Sequence, residues 1–407
     1  MALVFLHHVV GDLTLGKPEL VQFSDAEPVE VAVRAIGDSA EGAITVWRAP
    51  CPDSAAVPRP PPSAERFVGM LNSLDVVLFL ARAGVHDQEK AMRTPVSELI
   101  TPNRDLLKEV DPATRLIDAL DMMKQGVRRL LVRKSVMWRG FSKRFSVLYN
   151  GKWLKNTQSL SVGGASNSDR PSSSILHENK YCCLSREDVV RFLIGCLGAL
   201  APLPLSSISS LGAINSNYSF IDAFSPTLEA ILKIPHNPCA IAVVETNSDG
   251  THNIIGDISA YKMWKCDYWA AAWAMANLSA GQFVLGADDY GTAPHSVPDF
   301  SINSPPENSV AGASLRRQKF SSRSMGFSSS QLNQMPFGRL RNMSRGRSAP
   351  LTCKPTSSLA AVMAQMLSYR ATHVWVIDAD AATEVDTLVG IVTFTEILIA
   401  VTHYPAS

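Results

Sequence analysis

The sequence lacks the residue patterns of common metal, redox and secreted proteins. Its seven cysteines are scattered, with no Cys-x-x-Cys pair and no histidine cluster at metal-ligand spacing. This argues against a metal site and favours reduced thiols that serve as small apolar residues. The N-terminus has no basic segment before its apolar residues, so we expect no secretory signal. These absences predict a soluble protein of the cytoplasm, with the nucleus as the alternative.

An excess of charge of one sign and long apolar runs are also missing. The 38 Lys and Arg residues balance 37 Asp and Glu residues, so no overall field directs the protein to nucleic acid or to an anionic membrane. Apolar stretches begin at Phe192 and Trp269, but prolines end the first and polar residues interrupt the second. Both are typical of buried helices, and we expect no membrane association.

Motifs for catalysis are missing as well. No nucleophile elbow, phosphate loop, zinc signature or dinucleotide fingerprint occurs, and no Ser, His and Asp set is suggested by spacing. We therefore predict a non-catalytic protein that requires no cofactor. A length of 407 residues, 46% of them hydrophobic, is enough for two or three globular domains.

What the sequence does contain is a diverged internal repeat. Each of four copies has the pattern of strand, helix, strand, strand and helix. In the second copy "LLKEV" predicts a strand, Asp111 before Pro112 predicts a helix cap, and apolar residues at helical spacing follow from Leu116. In the third copy, Ser225 before Pro226 predicts another cap. The predicted repeats are residues 11–84, 97–200, 205–286 and 349–404.

Three insertions account for the irregular length of the repeats. The first repeat contains a Pro-rich insertion at about 49–65, and the second contains one at about 135–179 that is rich in Ser, Gly and Asn. A basic, Ser-rich linker, residues 287–348, separates the third and fourth repeats. It is too long for an ordinary ordered loop, so we predict that it is disordered.

The basic linker also contains a candidate regulatory site. In "RGRSAP", Arg345 lies three residues before Ser348 and Pro350 lies two after it, which is typical of sites that basophilic kinases phosphorylate and 14-3-3 proteins then bind. The alternative is a linker that only keeps the protein soluble. Its aromatic residues are too sparse to stack on bases, so nucleic-acid binding is not predicted.

A polar pair follows the last strand of each repeat. A Ser or Thr with an acid three residues later can accept the hydrogen bonds of two ribose hydroxyls, but the same spacing forms a capping box without any ligand. Lys262 cannot accept such a bond, so we predict at most three competent sites and an empty or altered third one. The pairs are Asn72 with Asp75, Ser185 with Asp188, Ser259 with Lys262, and Thr393 with Glu396.

These segments resemble a known family. Stretches such as "LIDALDMMKQGVRRLLV", "CLSREDVVRFLIG" and "GRSAPLTCKPTSSLAAVMAQMLSYRATHVWV" are similar to plant proteins with four CBS repeats and, more distantly, to the γ subunit of AMP-activated and SNF1-related protein kinases. The resemblance implies an α+β fold in which four β-α-β-β-α repeats pair through their sheets into two Bateman modules. It is also compatible with a homodimer.

The resemblance further implies ligand-binding residues. The family pattern is Gly-h-x-Thr/Ser-x-x-Asp, where h is apolar, which assigns the ribose to the first, second and fourth polar pairs. Cys182 replaces the glycine in the second repeat, and we interpret that glycine as room for a ligand beside the backbone. In the γ-like relatives, basic residues before the first inner strand face the phosphate. The matching residues here are Arg128 and Arg129, and Thr372 and His373.

Two functions stay open on this basis. The first is a regulatory module that binds AMP, ADP, ATP or S-adenosylmethionine between paired repeats and modulates a partner enzyme. The second is a ligand-free, γ-like scaffold subunit of a protein kinase complex, switched by phosphorylation of the basic linker. Single residues can also have non-functional explanations. Arg128 and Arg129 can lie at a solvated strand edge or form an ion pair, and His373 can have a structural role.

Overall fold

The structure is a computed structural model. It describes residues 4–49, 64–83, 88–134, 148–149, 152–153, 181–235, 237, 239–264, 266–285, 349–379 and 386–403. The basic linker before residue 349, including Ser348, lies outside these ranges, as does most of the other two insertions. Across the described ranges, no helix has both the length and the apolar character needed to cross a membrane.

The first half of the chain forms two repeats. After helix α1 (Val4–His7) and a short 3-10 segment (Val10–Thr14), the first repeat contains β1 (Phe23–Ser24), α2 (Val29–Asp38), β2 (Ala43–Trp47), β3 (Phe67–Asn72), α3 (Ser73–Ala83) and α4 (Gln88–Arg93). The second contains β4 (Leu107–Val110), α5 (Leu116–Lys124), β5 (Arg129–Arg133), the hairpin β6 (Leu148–Tyr149) and β7 (Lys152–Trp153), β8 (Tyr181–Ser185) and α6 (Arg186–Gly195).

The second half repeats this order. The third repeat contains β9 (Phe220–Asp222), α7 (Thr227–Lys233), β10 (Ala240–Thr246), β11 (His252–Ser259), α8 (Ala260–Met263), α9 (Tyr268–Asn277) and α10 (Ala280–Leu285). The fourth contains β12 (Thr352–Cys353), α11 (Leu359–Tyr369), β13 (His373–Ala379), β14 (Asp386–Thr393) and α12 (Phe394–His403).

Each repeat builds one small sheet with the same topology. The first strand pairs in parallel with the second, and the second pairs antiparallel with the third. A helix connects the first and second strands, as a parallel pair requires. The four β-α-β-β-α repeats expected from the sequence are therefore present, and the α+β fold class is confirmed.

Two predicted helix caps are wrong. Asp111 accepts a hydrogen bond from the N–H of Ala113 at 2.7 Å, which closes a turn, and α5 begins only at Leu116. Helix α7 follows Pro226 and has no side-chain cap, while the N–H of Ser225 donates to the carbonyl of Asp222. At Asp111 the side chain shapes the turn before the helix, which competes with capping for this residue type. Before α7 that role belongs to Asp222, whose Oδ1 accepts a hydrogen bond from the N–H of Phe224 at 2.9 Å.

Two small cores hold the sheets together in pairs. Between the sheets of the first and second repeats lie Trp47, Phe67, Leu107, Leu131 and Tyr181. The sheets of the third and fourth repeats enclose a second core that contains the buried Trp375. Burying one large apolar side chain contributes about 1.5–3 kcal/mol, so each core fixes its pair of repeats face to face.

Two larger cores join the pairs to each other through their helices. One combines buried residues of α5 and α6 from the second repeat with residues of α11 and α12 from the fourth. The other combines α2 and α3 of the first repeat with α9 and α10 of the third. Every repeat thus packs on one partner through its sheet and on another through its helices, which brings all four strand–helix junctions close together.

Candidate ligand clefts between paired repeats

The polar pairs lie where the last strand of each repeat runs into a helix. Asn72 ends β3, Ser185 ends β8, Ser259 ends β11 and Thr393 ends β14. The four pairs therefore occupy equivalent places, one in each repeat. What differs among them is the set of groups that the acidic or basic member contacts.

In the first repeat the pair caps its own helix. Asn72 Oδ1 accepts hydrogen bonds from the N–H groups of Leu74, at 2.8 Å, and Asp75, at 3.2 Å. Asp75 Oδ2 accepts one from the N–H of Asn72, at 3.0 Å. The Asn72 amide also lies 3.7 Å from Cys239 Sγ of the third repeat. These contacts stabilise the start of α3 and tie it to the third repeat.

In the second repeat the pair forms a capping box with an added cation. Asp188 Oδ2 accepts hydrogen bonds from the N–H and the hydroxyl of Ser185, at 2.8 and 3.0 Å. The same oxygen lies 2.6 Å from Lys17 Nζ, and the Asp188 side chain is only 6% exposed. The carboxylate that the sequence assigns to a ribose is thus paired with an ammonium from the segment before β1.

In the fourth repeat the acid faces an open cavity. Glu396 Oε2 accepts a hydrogen bond from the N–H of Thr393 at 3.0 Å and another from its hydroxyl, while Oε1 accepts one from the Asn215 amide at 3.2 Å. The adjacent cavity measures about 320 Å³, which is within the range of small-molecule sites. It is lined by Asn215, Asn217, Tyr218, Ser219, Pro235, Asn237, Ala240, Ile391, Thr393, Thr395 and Glu396.

The third repeat has a buried ionic cluster instead. Lys262 Nζ lies 2.7 Å from Asp257 Oδ1, and His373 Nε2 of the fourth repeat lies 3.5 Å from Asp257 Oδ2. Burial raises the pKa of Asp257, but the charges and hydrogen bonds of Lys262 and His373 outweigh it and hold that pKa well below its usual range. Burial, together with the Asp257 charge, also raises the pKa of the nearby Tyr261.

This cluster bears on the predicted role of His373. Its side chain is fully buried, its Nδ1 lies 3.2 Å from the Thr372 hydroxyl, and its ring packs edge-on against Tyr261 and Trp375. It is not among the residues that line the fourth-repeat cavity. The contacts of His373 are thus those of a structural histidine between the third and fourth repeats.

The glycine of the family pattern has a different role from the one we inferred. A Cβ atom on Gly390 would lie 2.6 Å from Ile214 Cγ2 and 2.9 Å from the Asn215 carbonyl oxygen. Asn215 and Ile391 exchange two backbone hydrogen bonds of 2.9 Å across this contact. The glycine therefore makes room for the neighbouring chain segment, which in turn lines the cavity. Cys182, at the same position in the second repeat, is a buried core residue.

The two predicted phosphate-facing arginines have different surroundings. Arg129 pairs with Glu41 of the first repeat and is 12% exposed. Arg128 has no hydrogen-bond or ion-pair partner for its guanidinium among the residues that the structure describes, and burial lowers its pKa. Of the two, only Arg129 is therefore held by an acid within ion-pair distance, while the charge of Asp75 acts on Arg128 from farther away.

A third arginine was missed by the sequence reasoning. Arg186, the first residue of α6, is 6% exposed and crosses to the fourth repeat, where its Nη1 donates to Thr395 Oγ1 at 3.0 Å. Burial, helped by the nearby charge of Arg128, lowers its pKa to about 10, while Glu396 opposes that shift. A cation in the first turn of a helix opposes the helix dipole, and this unfavourable placement was the available signal.

The chain is similar to known proteins that contain CBS domains. The model of the CBS domain family matches residues 343–403. Across its whole length the chain is 57% identical to the CBS domain-containing protein CBSX6 of Arabidopsis thaliana, covering 96% of that protein. It is 29% identical to CBSX5 of the same plant, with 98% of this chain and 97% of that protein covered.

The chain is also similar, at much lower identity, to a solved structure. That structure is of a protein from Methanocaldococcus jannaschii, proposed to be an archaeal homologue of the AMPK γ subunit. The TM-score is 0.48 at 12% identity, with 96% of this chain and 99% of that one covered.

Proposed function

This chain belongs to the family of CBS domain-containing proteins, and from that premise we propose that it binds an adenine nucleotide in the fourth-repeat cleft and thereby regulates a partner enzyme. The observation that carries the proposal is the cavity of about 320 Å³ beside Thr393 and Glu396. Its acid is held on one side by a neutral amide alone, that of Asn215. A ribose hydroxyl can replace that donor at little cost, because one neutral donor to the carboxylate is exchanged for another.

The arginines favour an anionic ligand in this cleft. Arg186 donates to Thr395, a residue of the cavity wall, and its charge acts on Glu396. Arg128 lies near enough to Arg186 to lower its pKa. Arg186 Nε and Nη2 already donate to the carbonyls of Val127 and Met123, so Arg186 acts on the cleft through its charge, which attracts an anion and repels a cationic group. We therefore propose AMP, ADP or ATP as the ligand rather than the sulfonium compound S-adenosylmethionine.

The test is isothermal titration of the full chain with AMP, ADP, ATP and S-adenosylmethionine. We expect heat with at least one nucleotide, and a loss of about 10- to 100-fold in affinity for Glu396→Gln, because hydrogen bonds to a charged acceptor contribute about 1.5–3 kcal/mol. The control is Glu89→Gln, which removes an exposed acid of α4. The proposal would be wrong if no ligand released or absorbed heat on titration and none changed the melting temperature of the protein.

The ligand-free scaffold remains the second candidate function, because the polar pairs of three clefts are engaged within the protein. Asp75 closes on its own cap, Asp188 pairs with Lys17, and Lys262 pairs with Asp257. Such a protein would contact its partner through the outer faces of the repeats. Co-purification of the tagged chain with its bound proteins, with and without added nucleotide, separates a nucleotide-dependent regulator from a constitutive scaffold.

The partner and the regulatory modification are proposed from the sequence. We propose a protein kinase or another regulated enzyme as the partner, with Ser348 as a site that a 14-3-3 protein binds once it is phosphorylated. Ser348→Ala is expected to abolish 14-3-3 capture from kinase-treated protein. Capture that persists in this variant would assign the binding to another residue.

A further inference from the structure

The same kind of chain segment crosses the clefts of the second and fourth repeats. The segment before β9 passes the fourth-repeat cleft and places Asn215 on Glu396. The segment before β1 passes the second-repeat cleft and places Lys17 on Asp188. The two clefts are thus built alike, with a capped acid on one wall and one side chain from a crossing segment opposite it.

The side chain that crosses the second-repeat cleft is firmly held. The Lys17 ammonium is 13% exposed and lies 2.6 Å from Asp188 Oδ2. Its own carbonyl accepts a hydrogen bond from Lys134 Nζ at 2.5 Å, and three residues later the N–H of Leu20 donates to the carbonyl of Tyr181 at 2.8 Å. The second repeat therefore anchors this segment at both Lys17 and Leu20.

Asn215 and Lys17, the two residues that cross the clefts, differ in charge. The Asn215 amide is neutral, so a ribose hydroxyl can take its place without leaving a charge unpaired. Displacing Lys17 would separate an ammonium from a nearly buried carboxylate that it contacts directly, a far larger penalty. The fourth-repeat cleft is consequently open to exchange, whereas the second is closed by its own chain.

The charges around the second-repeat cleft point the same way. Arg191 lies 3.6 Å from the other Asp188 oxygen, and its Nη2 also bonds Glu187. Across the cleft, Arg129 pairs with Glu41. Asp188 is thus engaged by two cations, Lys17 and Arg191.

We propose that Lys17 acts as an internal occupant of the second-repeat cleft, so that the chain binds one nucleotide where its paired repeats would otherwise bind two. Lys17 is in this sense the residue that decides which cleft accepts a ligand. The inference builds on the proposed function, since it takes the fourth-repeat cleft as the open one. What it adds is that Lys17 closes the second-repeat cleft.

The test is to count bound nucleotides by equilibrium dialysis of the full chain with radiolabelled AMP and ATP. We expect one per chain for the natural sequence and two for Lys17→Ala, which removes the ammonium that pairs with Asp188. Adding Asp188→Asn to Lys17→Ala should return the number to one, and adding Glu396→Gln should leave only the new site. The matched control is Lys108→Ala, which removes an exposed lysine of the second repeat and should still bind one nucleotide per chain.

The outcomes separate this inference from the proposed function. One nucleotide in both the natural protein and a folded Lys17→Ala variant overturns the inference and leaves the proposed function intact, and two in the natural protein also overturns it. None in the natural protein but one in Lys17→Ala supports the inference and overturns the fourth-repeat site. None in either overturns both.

Circular dichroism reports whether Lys17→Ala folds, and Arg191 remains beside Asp188 as a counter-charge in that variant. Should it not fold, Lys17→Gln replaces it, because its neutral amide faces Asp188 as Asn215 faces Glu396. The nucleotide count is then interpreted in the same way.

Discussion

Replacing Lys262 with methionine tests whether the buried carboxylate of Asp257 depends on its cation. Asp257 has a fully buried side chain, and the Lys262 side chain beside it is 8% exposed. Removing one partner of a buried ion pair typically costs about 3–5 kcal/mol, because the other charge is left without compensation. His373 remains 3.5 Å from the second Asp257 oxygen, so we expect a loss near the lower end, about 3 kcal/mol.

The pH dependence has a definite sign. In the natural protein the pKa of Asp257 is lowered, so its stabilising contribution is complete above the ordinary value of about 3.9 and is lost only as pH falls through the lower folded pKa. Without Lys262, His373 alone opposes the effect of burial, so the pKa of Asp257 rises from its lowered value and the variant takes up a proton at a higher pH than the natural protein does. The difference in stability between the two proteins should therefore be largest at neutral pH and shrink as pH falls through the pKa of the variant.

The assay is urea denaturation at several pH values. The double variant Asp257→Asn with Lys262→Met should recover a large part of the loss, because it removes both charges together. Arg93→Met, which breaks a pair exposed on both sides, should cost less than about 1 kcal/mol. A loss below about 1 kcal/mol for Lys262→Met at neutral pH, or a loss that does not change with pH, would refute the reasoning.

Two further predictions concern the cleft and the thiols. Gly390→Ala should weaken nucleotide binding and lower the free energy of unfolding by about 1–3 kcal/mol, because its Cβ atom would meet Ile214 and displace the cavity wall. Gly198→Ala, which has open space around it, should change neither quantity. Titration and thermal melting would contradict this prediction if both variants behaved alike. Burial raises the pKa of Cys183 and of Cys239 to about 12, so iodoacetamide at pH 8 should modify both only after unfolding, as mass spectrometry can show, and rapid labelling of the native protein would disprove it.

The sequence reasoning worked best where the signal was local. Apolar periodicity within each repeat identified the strands and helices, because neighbouring residues determine which face of an element can be buried. It failed at Asp111 and Ser225, where turn formation and helix capping draw on the same residue types. The polar pairs were located correctly at the strand–helix junctions, but their spacing alone could not distinguish a cap from a ligand site.

The contacts that distinguish the four clefts join residues far apart in the chain. Arg186 reaches Thr395 across 209 positions, Lys17 meets Asp188, and His373 meets Asp257 of another repeat. No periodicity connects such positions, since they become neighbours only when the sheets and helices of different repeats pack together.

The sequence by itself thus determined the repeat, its α+β fold and the four strand–helix junctions that carry the polar pairs, because each follows from patterns of nearby residues. The tertiary structure alone decided which side chain the crossing segment presents to each acid: a neutral amide at Glu396, and an ammonium at Asp188. Those contacts join residues far apart in the chain, which no local pattern connects.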